Sequence, residues 1–125
     1  MITHIETVAV YVADQERALG FYVDQLGFEL RKDVTMGPAA DGPRWIEVAP
    51  PGAATVLVLF TPPGLEDRVG ASSGMVFLCD DIRATVSELQ SRGVEFAQEP
   101  MMLPSGWWAS FHDPDGNQLG LSQRD

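Results

Sequence analysis

Five residues of this chain recur at one fixed displacement. Asp14, Arg17, Ala18, Gly27 and Glu29 reappear as Asp80, Arg83, Ala84, Gly93 and Glu95, each 66 positions later (80 − 14 = 93 − 27 = 66). Each aspartate follows a short apolar stretch and opens a segment that stops at a glycine, so the repeated unit is a strand followed by a capped helix and then further strands. At 125 residues the chain is the size of one ordinary domain, so the two copies are expected to share a single domain over 1–125. Module one covers about 1–61, a linker rich in Pro, Gly and charge covers 62–73, and module two covers about 74–125.

Val8, Val10 and Val12 alternate with Thr7, Ala9 and Tyr11, the period-two pattern of a strand over Glu6 to Val12. Asp14 suits an N-cap, Ala18, Phe21, Tyr22 and Leu26 recur at helical spacing, and Gly27 supplies a left-handed stop, which predicts a helix over about 15–26. Strands are expected at 28–33, 44–49 and 55–61. Module two repeats the plan, with a strand at 75–79, Asp80 or Asp81 as cap, Ile82, Val86 and Leu89 as a buried helical stripe, and Gly93 as the stop. Its remaining strands are expected at 94–98, 107–112 and 118–122, the last two joined by the turn-forming run Asp113-Pro114-Asp115-Gly116-Asn117. Each copy is thus βαβββ, an α+β unit. Two such units side by side would curve into a half-barrel around a central cleft.

Composition removes several classes of function. Eight basic against 18 acidic residues leave a formal charge of −10, a field that repels nucleic acid and anionic membrane. No apolar run approaches the roughly 20 residues of a membrane-spanning helix. The N-terminus lacks the basic, apolar and small-residue segments of a secretory signal, so the cytoplasm is the expected location. The one cysteine, Cys79, ends an apolar stretch and reads as a small buried hydrophobe.

The stretches Val12-Ala13-Asp14, Ala18-Leu19-Gly20-Phe21-Tyr22, Leu26-Gly27-Phe28, Asp80-Asp81-Ile82, Arg92-Gly93-Val94 and Phe111-His112-Asp113-Pro114-Asp115-Gly116-Asn117 resemble the vicinal oxygen chelate superfamily. That superfamily includes glyoxalase I, bleomycin-resistance proteins and extradiol dioxygenases. The resemblance spans nearly the whole chain and rests on cap, turn and packing residues, so it implies a fold without fixing a reaction. In the family's enzymes a divalent metal is held by His, Gln or Glu from the first and last strand of each copy. Those positions fall here on Thr7, Val58, Gly74 or Met75, and Gly120. None is a metal-ligating side chain, so neither a metal nor any other cofactor is expected. His4, His112 and Glu47 are the remaining candidates for a relocated site.

Turning the vacated ligand positions inward lines the expected cleft with Thr7, Ala9 and Tyr11, with Val56, Val58 and Phe60, with Val76 and Leu78, and with Gln118 and Ser122. Apolar walls with a few polar handles suit a small-molecule pocket. Trp45 shares a strand face with Glu47, which either presents a carboxylate beside an indole or is a solvated strand residue. Neighbouring strand residues point oppositely, so one of Trp107 and Trp108 faces the cleft and the other packs away. Met101, Met102 and Leu103, between Pro100 and Pro104, read as a loop over the cleft or over a core edge.

Two functions stay open. One is a metal-independent protein of the bleomycin-resistance kind that sequesters a small aromatic or cationic metabolite or antibiotic, with Thr7, Tyr11, Trp45, Glu47, Val58, Phe60, Trp107, Trp108 and Gln118 as ligand-binding candidates. The other is a metal-dependent lyase, isomerase or dioxygenase with relocated ligands. A metal-free enzyme using Glu47, His112 or Tyr11 as acid or base is neither supported nor excluded. The resemblance also implies a homodimer.

Overall fold

The computed structural model describes residues 1–124. The chain separates into two compact units, Met1–Val69 and a second that begins at Gly70. Each carries one four-stranded sheet and one main helical segment.

In the first unit, β1 (Thr7–Val10) runs parallel to β4 (Val56–Leu59). Antiparallel neighbours β3 (Arg44–Ala49) and β2 (Glu29–Thr35) complete the order β1-β4-β3-β2. Val8, Val10, Leu57, Leu59, Ile46 and Val48 lie on one face by register, and the core beneath α1 (Gln15–Gly20) is closed by buried Ala18, Phe21 and Tyr22. The strand expected to reach Val12 ends at Val10 because Thr61 intervenes. Its hydroxyl accepts from the Val12 N–H at 2.9 Å and donates to the Val12 carbonyl at 2.8 Å, replacing ladder bonds with a side-chain clasp. The outer strand β2 is exposed along its whole length and carries Glu29, Arg31, Lys32 and Asp33, charges that discourage pairing of an open edge.

In the second unit, β5 (Met75–Leu78) is parallel to β8 (Gln118–Gln123), and β7 (Gly106–His112) and β6 (Phe96–Leu103) follow in the order β5-β8-β7-β6. The helix α2 (Ile82–Ser91) buries Ile82, Val86 and Leu89, the stripe read from the sequence. Ala109, Phe111, Leu119 and Leu121 are buried on strands β7 and β8. The sheets and helices reproduce the βαβββ plan in both units.

The repeat is offset by one residue at its helices. Asp14 accepts from the Arg17 N–H, whereas the cap in the second unit is Asp81, accepting from the Ala84 N–H. From cap to stop glycine the first helix therefore holds one residue more (27 − 14 = 13 against 93 − 81 = 12). That residue is absorbed as a wide turn over Phe21–Gln25, where the Leu26 N–H reaches the carbonyl of Phe21. The expected helix over 15–26 is thus an α-helical turn and a half followed by a π-turn.

One loop assignment is overturned. Met101–Leu103 are not a flap but the end of β6, paired with Trp108, Trp107 and Gly106. Pro100 cannot donate to a ladder, and the chain accommodates it by a register shift between Gln98 and Met101 on an edge strand.

Candidate functional site

The strand faces turned away from the helices hold most of the residues singled out above. In the first unit, Ala9, Val58 and Glu47 stand side by side across β1, β4 and β3, with Thr7 beside Val56. Thr7 is exposed and Val58 is buried at 3%. Tyr11, Trp45, Glu47 and Phe60 are half-buried. The Trp45 indole N–H donates to Glu47 Oε2 at 2.9 Å, and the Trp45 ring lies 6.0 Å from that of Phe60. Glu47 is therefore neither a free general base nor simply solvated: its carboxylate orients an indole that also packs on a second aromatic ring.

In the second unit the tandem tryptophans divide between faces. Trp107 turns toward α2, where the Arg83 guanidinium stacks 4.8 Å from its ring centroid. Trp108 turns the other way. Its Nε1 lies 3.1 Å from where a Cβ on Gly120 would stand, and Val76 Cγ2 lies 3.0 Å from the same point. Met101 is its cross-strand neighbour on one side and Ser122 on the other. Val76 and Leu78, 51% and 68% exposed, extend this apolar surface along β5. Gln118 is exposed at the opposite end of β8, its backbone N–H held by the Ser72 carbonyl.

These residues do not fit a divalent metal. The four positions offer a hydroxyl (Thr7), an isopropyl group (Val58), a glycine or a thioether (Gly74 or Met75) and no side chain (Gly120), and a hard ion needs several nitrogen or oxygen donors converging at about 2.0–2.2 Å. At Gly120 the mismatch is steric as well as chemical, because the Trp108 indole fills the space a ligating side chain would cross. His112 is exposed at the end of β7, and His4 is exposed with Nδ1 3.0 Å from the Thr3 hydroxyl. Among the described residues no three His, Cys, Asp or Glu side chains are grouped to hold a metal. Burial pushes the Cys79 thiol up, and Asp80 and Asp81 add to this against a hydrogen bond from Thr85 that lowers it, the opposite of an activated nucleophile.

A buried latch behind the site was legible only as a turn. Asn117, fully buried, accepts from the Ser72 N–H at 3.0 Å and donates to Asp113 Oδ2 at 2.8 Å, while Asp113 Oδ1 accepts from the N–H groups of Asp115 and Asn117. It fixes where β8 begins, and hence the register of Gly120 against Trp108's strand. The residue types predicted a turn; the burial of Asn117 carried no signal in the sequence.

Residues 2–121 match the family described as the Glyoxalase/Bleomycin resistance protein/Dioxygenase superfamily. The uncharacterized protein YetH of Bacillus subtilis (strain 168) is 41% identical over 98% of this chain and 100% of its own length. Two solved structures are similar throughout. TnmS3, an antibiotic binding protein from Streptomyces sp. CB03234, is 41% identical with a TM-score of 0.83, covering 99% of this chain and 98% of that one. A superfamily member from Sphaerobacter thermophilus DSM 20745 is 38% identical with a TM-score of 0.86, covering 98% of each chain.

Proposed function

The chain belongs to the glyoxalase/bleomycin resistance protein/dioxygenase superfamily, and from that premise we propose that it is a metal-independent binding protein that takes up a small aromatic or cationic metabolite or antibiotic. The observation that carries this reading is the closeness of the Trp108 indole to Gly120, with Nε1 3.1 Å from where a Cβ would stand, at the position to which the family resemblance assigns a metal ligand. An apolar ring surface with an N–H at its edge binds planar molecules by stacking and orients them by one hydrogen bond. In the first unit the surface is Trp45, Phe60 and Tyr11 with Thr7 and the Glu47 carboxylate, over buried Val58; in the second it is Trp108 with Gln118 at its end. Trp107, stacked on Arg83, is a packing residue in this reading. The likeness to an antibiotic binding protein at 41% identity supports the same class of function. We place the protein in the cytoplasm as a homodimer.

The test uses protein dialysed against EDTA, with metal-free bleomycin and a set of planar organic cations as probes, read by thermal shift and by tryptophan fluorescence. Saturation at about 100 times Kd stabilises by about 2.7 kcal/mol, which raises Tm by roughly 10 °C for a chain of this length. Trp108→Ala is expected to lose most of the quenching. Binding that appears only when a divalent ion is restored would overturn the proposal in favour of an enzyme with relocated ligands.

A further inference from the structure

A pocket of about 440 Å³ opens in the first unit beside the end of β4, lined by Val12, Ala13, Gln15, Pro43, Phe60, Thr61, Glu66 and Val69. Most of its wall is apolar, and two of its polar side chains are spent in building it. The Thr61 hydroxyl clasps both backbone groups of Val12. The Gln15 amide donates to the carbonyls of Arg44 at 2.6 Å and Leu59 at 2.7 Å and accepts from the Arg44 N–H at 3.2 Å, tying the helix start to β3 and β4. Of the two cations adjacent in sequence to the wall, Arg44 beside Pro43 is held by Asp33 and Glu16, and Arg68 beside Val69 is exposed.

Glu66 differs. Its two carboxylate oxygens accept the Gly64 N–H, at 3.0 and 2.9 Å, and its own backbone N–H adds to this, which fixes the group at the pocket while leaving acceptor capacity open. We propose that this pocket is a subsite for an organic cation, a protonated amine on an aromatic or aliphatic body, with the body against Phe60, Val12, Pro43 and Val69 and the ammonium at the Glu66 carboxylate. A fixed anion at the rim of an apolar recess selects a cation with a hydrophobic body over a neutral molecule of the same shape. The Gly64 N–H, and then Glu66's own, hold the carboxyl below its ordinary value, so it stays ionised through mildly acidic pH.

The inference rests on the binding reading and narrows its ligand class, and the two fail differently. Amide chemical shifts would be followed by NMR during titration with 2-phenylethylammonium and, separately, with the neutral 2-phenylethanol. The expected result is a saturable shift at Thr61, Gly64, Glu66 and Val69, about fivefold tighter for the cation and weakening with salt as an exposed ion pair does. Glu66→Gln keeps an acceptor for Gly64 and should abolish the difference between the probes. Equal binding of both probes, or a cation preference that survives Glu66→Gln, overturns the inference. Shifts confined to the Trp108 face overturn it while leaving the binding reading intact, and no shift anywhere with either probe counts against both.

Discussion

Replacing Gly120 by alanine tests whether the Trp108 indole closes the old ligand position. The new Cβ would stand 3.0 Å from Val76 Cγ2, 3.1 Å from Trp108 Nε1 and 3.4 Å from the Met75 carbonyl oxygen. Ordinary contacts between such atoms are about 3.5–4.0 Å, so at least two neighbours must retreat by a few tenths of an ångström. Overpacking of this kind costs about 1–3 kcal/mol. Taking about 2 kcal/mol and an unfolding entropy of about 2.1 cal/mol/K per residue, Tm should fall by roughly 8 °C. Removing the indole removes one of the two close contacts. Gly120→Ala should therefore cost about 1 kcal/mol less in a Trp108→Ala background than in the wild type, measured by urea unfolding followed by circular dichroism. If the two substitutions add to within about 0.5 kcal/mol, the residues do not compete for space and the steric account of the site is wrong.

Asn117→Ala strips a neutral bond from the Ser72 N–H and a charge-assisted one from Asp113 inside a buried latch; equilibrium unfolding should show a loss of about 3 kcal/mol, and a loss under 1 kcal/mol would mean that the latch relaxes freely. Placing carboxylates at two vacated positions, Val58→Glu with Gly120→Glu, should not create a zinc site, because the first is buried and the second meets Trp108; submicromolar zinc binding by calorimetry would contradict this. The Cys79 thiol, held above the ordinary thiol value chiefly by burial, should be alkylated by iodoacetamide more slowly than free cysteine at pH 7.5. The unfolded thiol ionises before the folded one, so the group's contribution to stability is complete well below the unfolded thiol's pKa of about 8.5 and is lost as pH rises through that value and on through the raised folded one; a reaction at the free-thiol rate would refute the assignment.

Strand and helix placement could be read from the sequence where the apolar period was unbroken and the ladder continued, as in Val8-Val10 and Ile82-Val86-Leu89. It could not be read where backbone groups changed partners. The end of β1 depends on a hydroxyl 49 positions away in sequence, at Thr61. The extra residue of the first helix left a trace, since Asp14 aligned with Asp80 although Asp81 is the cap, but only the capping bonds show that the alignment slips there. Met101–Leu103 are bounded by Pro100 and Pro104, which reads as a loop, and the edge position of β6 is what lets Pro100 sit inside a strand. For the site, alternation put one tryptophan of Trp107-Trp108 on each face but could not say which. The answer came from Arg83 on one side and the gap at Gly120 on the other. Glu66 and Val69 of the pocket come from what the sequence presented only as a linker, and its other polar side chains are tied by bonds between residues distant along the chain.

Native mass spectrometry of the protein as purified separates a metal-free binding protein from a metalloenzyme, since it weighs subunits, metal and organic ligand in one spectrum. The expected spectrum is that of a dimer whose mass contains no divalent ion, with any adduct being an organic molecule of aromatic or cationic character. A dimer carrying one metal ion per chain, retained after brief exposure to EDTA, would contradict it.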